Sequence, residues 1–314
     1  MIELSVPGSV AALTLDPACG GAVESIVFEV DRRRVSVLCA DPGPAPSMPG
    51  VDPGPCFHPL FAGRFLWPFN DRIPAGRYRF GGRGYELPAN DSASGDAIHG
   101  MLYARAVTVA SDDGDRPRGV TLRDTIGGDE YAGYPFDVAL KIELRLSRSS
   151  LELTMTCENV GSRACPVAFG WHPYFVLPDA PTADYLVLRT TADRYVPVDD
   201  RLLPVGGTAP VRGSALERLC TGEGDRVAGA DLDVAVTAEG RAVTTELESD
   251  RHLIRIEQSG AFAYQQWFVP PDRRSIAIEP VTAATDSFNR PELGRRTLAP
   301  SEWVRGGVRV SLAG

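Results

Sequence analysis

Apolar and polar residues alternate along much of this chain. In VALKIELRL, Val138, Leu140, Ile142, Leu144 and Leu146 fall on one side, with Lys141, Glu143 and Arg145 on the other. Successive side chains of a β-strand point to opposite faces, so this is a strand with one face on a core and one in water. After the polar turn SRSS, the segment LELTMTCEN repeats the pattern with Leu151, Leu153, Met155 and Cys157. The two segments predict a β-hairpin. The same reading predicts strands near 2–6, 22–30, 34–39, 103–110, 185–190, 242–248, 252–258, 262–269, 275–279 and 303–312, with an apolar strand over 164–171. No long amphipathic helix is expected, and RGSALERLC (212–220) can form two turns at most.

Many short strands separated by turn residues imply antiparallel sheets packed face to face. The expectation is an all-β chain, one large antiparallel β-sandwich domain over residues 1–314. Residues 40–56, with six prolines, read as an ordered surface loop, and residues 198–230 as a Gly-rich loop between two strand blocks.

Composition narrows the function. With 43% apolar and 23% charged residues the chain has material for a substantial core. A net charge of −9 argues against a nucleic-acid partner, which needs clustered cations in excess. No apolar run is long enough to span a membrane, and the opening MIELSVPGSV lacks the basic and apolar regions of a signal peptide. Cys19, Cys39, Cys56, Cys157, Cys165 and Cys220 form no C-x-x-C pair, and are expected to be reduced thiols in a cytoplasmic protein.

Five ionisable residues sit beside turn or aromatic signals: Arg72 in LWPFNDRIPAG, His99 in NDSASGDAIHGM, His172 in FGWHPYF, Asp233 in GADLDVAV and Glu279 in SIAIEPVTAATDSFN. Glu279 is read as ending a strand just before Pro280, where the chain should leave the sheet, and His172 likewise precedes Pro173. A carboxylate among apolar residues has its pKa raised, and imidazole plus carboxylate is the usual equipment for moving protons near neutral pH. Each has a plainer reading: Glu279 an ion-pair partner, Asp233 an edge-strand charge with Asp231 as rival, His99 a turn residue, His172 a satisfied core histidine. His58 and His252 carry no comparable context.

Taken in order, five segments resemble the aldose 1-epimerases, the galactose mutarotase family. They are PFNDRIPAGRYRFGGRGYELPAN, IHG, YAGYPFDVAL, NVGSRACPVAFGWHPYF and IAIEPVTAATDSFN. The resemblance implies a galactose mutarotase-like supersandwich whose partner is a small-molecule sugar, with no cofactor or metal, as a monomer or homodimer. By the same resemblance, Glu279 is the general base at the C1 hydroxyl and His172 the acid at the ring oxygen. Arg72 and His99 hold the sugar, Asp233 orients a distal hydroxyl, and Asn70 belongs to the arginine segment. Trp67, Tyr174 and Trp267 are candidates to stack on a pyranose.

Three departures stand out. Asp71 occupies the place of the asparagine expected just before Arg72, with Asn70 one step early; the tryptophan usual after the first histidine is absent; and DLDVAV matches the aspartate segment loosely. All surround the sugar rather than the acid–base pair. They keep open a modified or phosphorylated sugar, for which Arg64 or Arg77 could meet a phosphate. A non-catalytic sugar-binding protein is the other alternative.

Overall fold

The computed structural model describes residues 1–39, 56, 58, 60–111 and 117–314. Two large antiparallel sheets dominate. One has nine strands, in the order Asp225–Arg226, Val187–Thr190, Thr244–Glu248, Leu253–Gly260, Trp303–Ala313, Ser150–Asn159, Val138–Leu146, Gly119–Ile126 and Thr108–Ser111. The other runs Ala209–Pro210, Arg194–Tyr195, Asp233–Thr237, Tyr264–Phe268, Ile276–Val281, Gly170–Trp171 and Phe65–Leu66, with Tyr174–Phe175 also paired to Ile276–Val281. A four-stranded sheet is formed by Ile2–Ser5, Ala12–Asp16, Ala22–Val30 and Arg33–Ser36.

The alternation in sequence becomes alternation in burial. Val138, Leu140, Ile142, Leu144 and Leu146 are all buried, while the residues between them are partly or fully exposed. Leu140, Leu153 and Val310 of the nine-stranded sheet join one buried cluster with Trp171, Trp267 and Ile278 of the other. The two sheets therefore share a single core, as a sandwich must. Among the described residues there is no α-helix; the segment 212–220 yields one 3₁₀ turn, Glu217–Cys220.

Several local expectations are corrected. The apolar run 164–171 is two short strands in different sheets, Cys165–Val167 against Arg296–Leu298 and Gly170–Trp171 in the eight-stranded sheet. Segment 103–110 begins as the 3₁₀ turn Leu102–Ala104 and becomes strand only at Thr108. The region 198–230 contains the strands Ala209–Pro210 and Asp225–Arg226. Gly119–Ile126, Ala12–Asp16 and Asp233–Thr237 are strands that the alternation pattern missed. The proline-rich loop over 40–56 lies outside the described residues, apart from Cys56.

The cysteine expectation also changes. Cys19 and Cys56 are disulfide-bonded with their Cα atoms 5.0 Å apart, while Cys157, Cys165 and Cys220 are free thiols. Scattered spacing could not reveal this pair, because the partners meet only when the N-terminal sheet folds against the segment entering the eight-stranded one. No helix among the described residues is long and apolar enough to cross a membrane.

Candidate active site

The eight-stranded sheet answers why FGWHPYF carries a histidine. Gly170 pairs with Val281 and Tyr174 with Ala277. The register on either side thus sets His172 across from Glu279, at the point where Pro173 interrupts the ladder. Their side chains meet: His172 Nε2 lies 3.3 Å from Glu279 Oε1, both groups almost fully buried.

Contrary to the sequence reading, Glu279 does not end its strand, which continues through Pro280 to Val281. Thr282 N–H donates to the Phe169 carbonyl. Two residues earlier an N–H would face the same neighbour, where the ladder is broken between Trp171 and Tyr174. Proline therefore removes a donor at the edge of that break, where the ladder is already ending.

The pair lies in a cavity of about 210 Å³, lined also by Leu60, Phe61, Asp71, Arg72, Asn90, Asp91, His99, Tyr174, Leu202, Asp233, Gln266 and Phe268. Burial dominates its electrostatics. It holds the Glu279 carboxyl well above the usual range, reinforced by the charges of Asp71 and Asp233. It pushes the His172 imidazole well below its ordinary value, helped by His99 and His58. Ring contacts orient His172: Tyr174 stacks on it at 4.9 Å and His99 meets it edge-on at 5.2 Å.

His99 is neutral, its pKa lowered to about 4 chiefly by burial. Its Nδ1 is 2.9 Å from the Asn70 carbonyl, which can only accept, so Nδ1 carries the hydrogen and Nε2 is left as an acceptor. The backbone explains the His-Gly pair. Both residues have positive φ, and a Cβ on Gly100 would stand 2.2 Å from the Trp67 carbonyl oxygen.

Arg72 lines the cavity while its guanidinium is heavily committed. Nη1 donates to Asp91 (2.8 Å), Ser94 (2.8 Å) and Asp96 (3.1 Å). Asp233 reaches the cavity and accepts from Gln266 Nε2 at 2.7 Å; Asp231 does not line it. Burial raises the Asp233 carboxyl.

Three expected sugar contacts are corrected. Trp67 is fully buried in the core, its indole N–H on Cys157 Sγ at 3.2 Å, and does not reach the cavity. Trp267 is also fully buried, its N–H on Gln265. Asn70 turns inward and donates to the Ala283 carbonyl at 2.6 Å, leaving its neighbour Asp71 to face the cavity. Tyr174 does line the cavity, but its hydroxyl is held by the Leu60 carbonyl at 3.0 Å and its ring backs His172.

Sequence reasoning overlooked other contributors. Asn90, Asp91, Gln266 and Phe268 carry no local signal, because they reach the cavity only through loop closure and strand register. His58, passed over earlier, accepts the Leu60 and Ala62 amides on Nδ1 at 3.2 and 3.3 Å, shaping the turn that presents Leu60 and Phe61. His252 pairs with Asp179 at 2.7 Å, away from the cavity. Arg64 and Arg77 are spent elsewhere, on Glu24 at 3.0 Å and Glu86 at 3.2 Å. Among the described residues, no three His, Cys, Asp or Glu side chains are grouped to hold a metal ion.

The family model for aldose 1-epimerase matches residues 56–311, a span that contains every residue of this cavity. The chain belongs to the aldose 1-epimerase family. It is thereby an isomerase acting on carbohydrates. It is 25% identical over 239 residues to the uncharacterized protein YihR of Escherichia coli K12, covering 72% of this chain and 71% of that protein. It is 31% identical to the galactose mutarotase of Mus musculus over 157 residues, 47% of this chain and 42% of that protein. The match thus spans less than half of the mouse protein.

Solved structures show the same fold over nearly the whole chain. A galactose mutarotase-like protein from Clostridium acetobutylicum superposes with a TM-score of 0.81 at 21% identity, covering 97% of this chain and 93% of its own. A galactose 1-epimerase from Lactobacillus acidophilus gives 0.76 at 19% identity, covering 98% and 92%. This aldose 1-epimerase-family sandwich places its cavity on the eight-stranded sheet, with Glu279 and His172 at the break in its ladder between Trp171 and Tyr174.

Proposed function

We propose that this protein interconverts the α and β anomers of a free sugar, with Glu279 and His172 as the proton-transfer pair. The observation that carries the reading is their 3.3 Å approach inside a cavity lined by further polar groups. Ring opening requires one proton to leave the C1 hydroxyl and another to reach the ring oxygen. Burial opposes both carboxylate and imidazolium, so the pair holds one proton between its two members at neutral pH. With that proton on His172, Glu279 is an ionised base beside an acid.

In the forward step Glu279 takes the C1 hydroxyl proton, the O1 electron pair forms the C1=O bond, and the C1–O5 bond breaks. His172 gives its proton to O5. The open aldehyde turns about C1–C2, and the reverse transfers close the ring on its other face. No net charge is made, and the protein returns to its starting state. His99 Nε2, Asp233 and the Arg72 guanidinium surround the remaining hydroxyls, and positioned acid–base groups of this kind contribute about 10²–10⁴-fold. The test is polarimetry or NMR exchange with freshly dissolved single anomers of several aldoses. Acceleration over the spontaneous rate is expected; no acceleration with any of them would refute the reading.

A further inference from the structure

The charge inventory of the cavity is one-sided. Four of its lining residues are carboxylic acids (Asp71, Asp91, Asp233 and Glu279), against a single arginine. That arginine is already met by two carboxylates, Asp91 at 2.8 Å and the fully buried Asp96 at 3.1 Å. Arg64 and Arg77, the nearby cations that could have faced a phosphate, are paired outside the cavity. His99 is held neutral by burial, and the His172–Glu279 pair, sharing one proton, carries no net charge. Among the described residues of the lining, none offers an unmatched positive charge to an anion.

Asp71 sharpens this. Among the described residues, the only donor to its carboxyl is the backbone N–H of Arg72, at 2.6 Å. Glu279 is 2% exposed and, among the described residues, faces no protein donor apart from His172. Two carboxyl groups thus present unfilled acceptor positions to the same cavity, beside a third on Asp233. An acceptor open to a cavity of this kind is filled by a donor from whatever binds there.

We propose that Asp71 is a specificity-determining residue of this site: with Glu279 and Asp233 it admits sugars offering hydroxyl or ammonium donors and excludes sugars carrying a phosphate, carboxylate or sulfonate. This rests on the sugar-isomerase reading above and adds its substrate class. The side chain acts twice. Its oxygen accepts a hydrogen bond from the sugar, and its charge repels an anionic substituent where water screens poorly. Replacing it by the asparagine of nearly identical shape removes the charge and adds a donor, leaving the volume unchanged.

The experiment compares the protein with Asp71→Asn and Asp71→Glu. Enzymatic anomer exchange is measured by NMR, above each sugar's spontaneous rate, for glucose, galactose, glucosamine, glucose 6-phosphate and glucuronic acid at pH 7.5. For the parent, kcat/KM on the two anionic sugars is expected at least about 10-fold below that on the best neutral sugar. Asp71→Asn should raise the anionic-to-neutral ratio about 10-fold or more and lower the glucosamine-to-neutral ratio. Asp71→Glu, which keeps the charge, should retain the parent's ordering.

A pH profile separates this role from mere support of the fold. The groups facing Glu279 are His172 across the ladder, Asp233 from the next strand but one, and Asp71 with Arg72 from the cavity wall. Removing the Asp71 charge makes Glu279 easier to ionise, so any acid-side fall in kcat/KM governed by Glu279 should move to lower pH. Unchanged ratios in a folded Asp71→Asn protein, or a parent that handles glucose 6-phosphate as well as glucose, would overturn the proposal alone. Failure of the parent to exchange every sugar tried would remove the underlying reading and this proposal together.

Discussion

His172, in the break between two short strands, and Glu279, on the strand Ile276–Val281 beside that break, stand with Nε2 and Oε1 3.3 Å apart, although 107 positions separate them in the chain. Removing either should abolish proton transfer while leaving the cavity intact. Glu279→Gln and His172→Asn are each expected to lower kcat for anomer exchange by about 10²–10⁴-fold. Sugar affinity, measured by calorimetry or ligand-observed NMR, should change far less. A Glu279→Gln protein as active as the parent would end the assignment of the base.

Asp71 also has a stability signature. Its carboxyl is pushed up to about 6, first by burial and then by Asp233 and Asp286, against the opposing pull of Arg72. A carboxyl raised on folding destabilises the protein once ionised. That cost is absent below its unfolded value near 3.8, grows as pH rises, and is complete above about 6. Asp71→Asn should therefore stabilise the fold at pH 7.5 by on the order of 2–3 kcal/mol, and hardly at all near pH 4. Denaturant melts at the two pH values would show it. Equal effects at both would contradict the buried-charge account.

Gly100 is the hinge on which His99 is mounted. Gly100→Ala places a methyl 2.2 Å from the Trp67 carbonyl oxygen and holds alanine at φ 75°. A loss of on the order of 2–4 kcal/mol is expected, with kcat/KM falling because His99 shifts as well. Thermal melting and kinetics on the same preparation would check both.

Asp96 is fully buried and accepts from Arg72 Nη1 and from the Ala75 N–H at 2.8 Å. Asp96→Ala leaves a cation with one fewer partner and an amide with none. Breaking a buried pair in this way costs about 3–5 kcal/mol, and Arg72 should lose its fixed position. KM is expected to rise more than kcat falls, since in the proposed mechanism Arg72 holds the sugar and moves no proton. Equal effects on both constants would argue against that division of labour.

How legible this was in the sequence differs between fold and site. The long strands were readable because alternation over nine or ten residues, as in Val138–Leu146 and Ser150–Asn159, has only one structural meaning. Strands of two residues, such as Phe65–Leu66 and Gly170–Trp171, have no period to read and exist only through their neighbours. The same limit explains the split of 164–171 and the strand that runs on through Pro280.

For the site, residue types in order were enough to name His172, Glu279, His99, Arg72 and Asp233, which the fold gathers around one cavity. The sequence by itself determined an all-β chain, its principal strands and the polar residues that an apolar strand would not otherwise hold. Only the tertiary structure decided which neighbours face which way: Asn70 and Trp67 into the core, Asp71 toward the cavity, Cys19 onto Cys56. The reason is physical. A strand's periodicity is written locally in its own residues, whereas the direction of a side chain at a kink, and the partner it meets, depend on register and packing with segments far away in the chain.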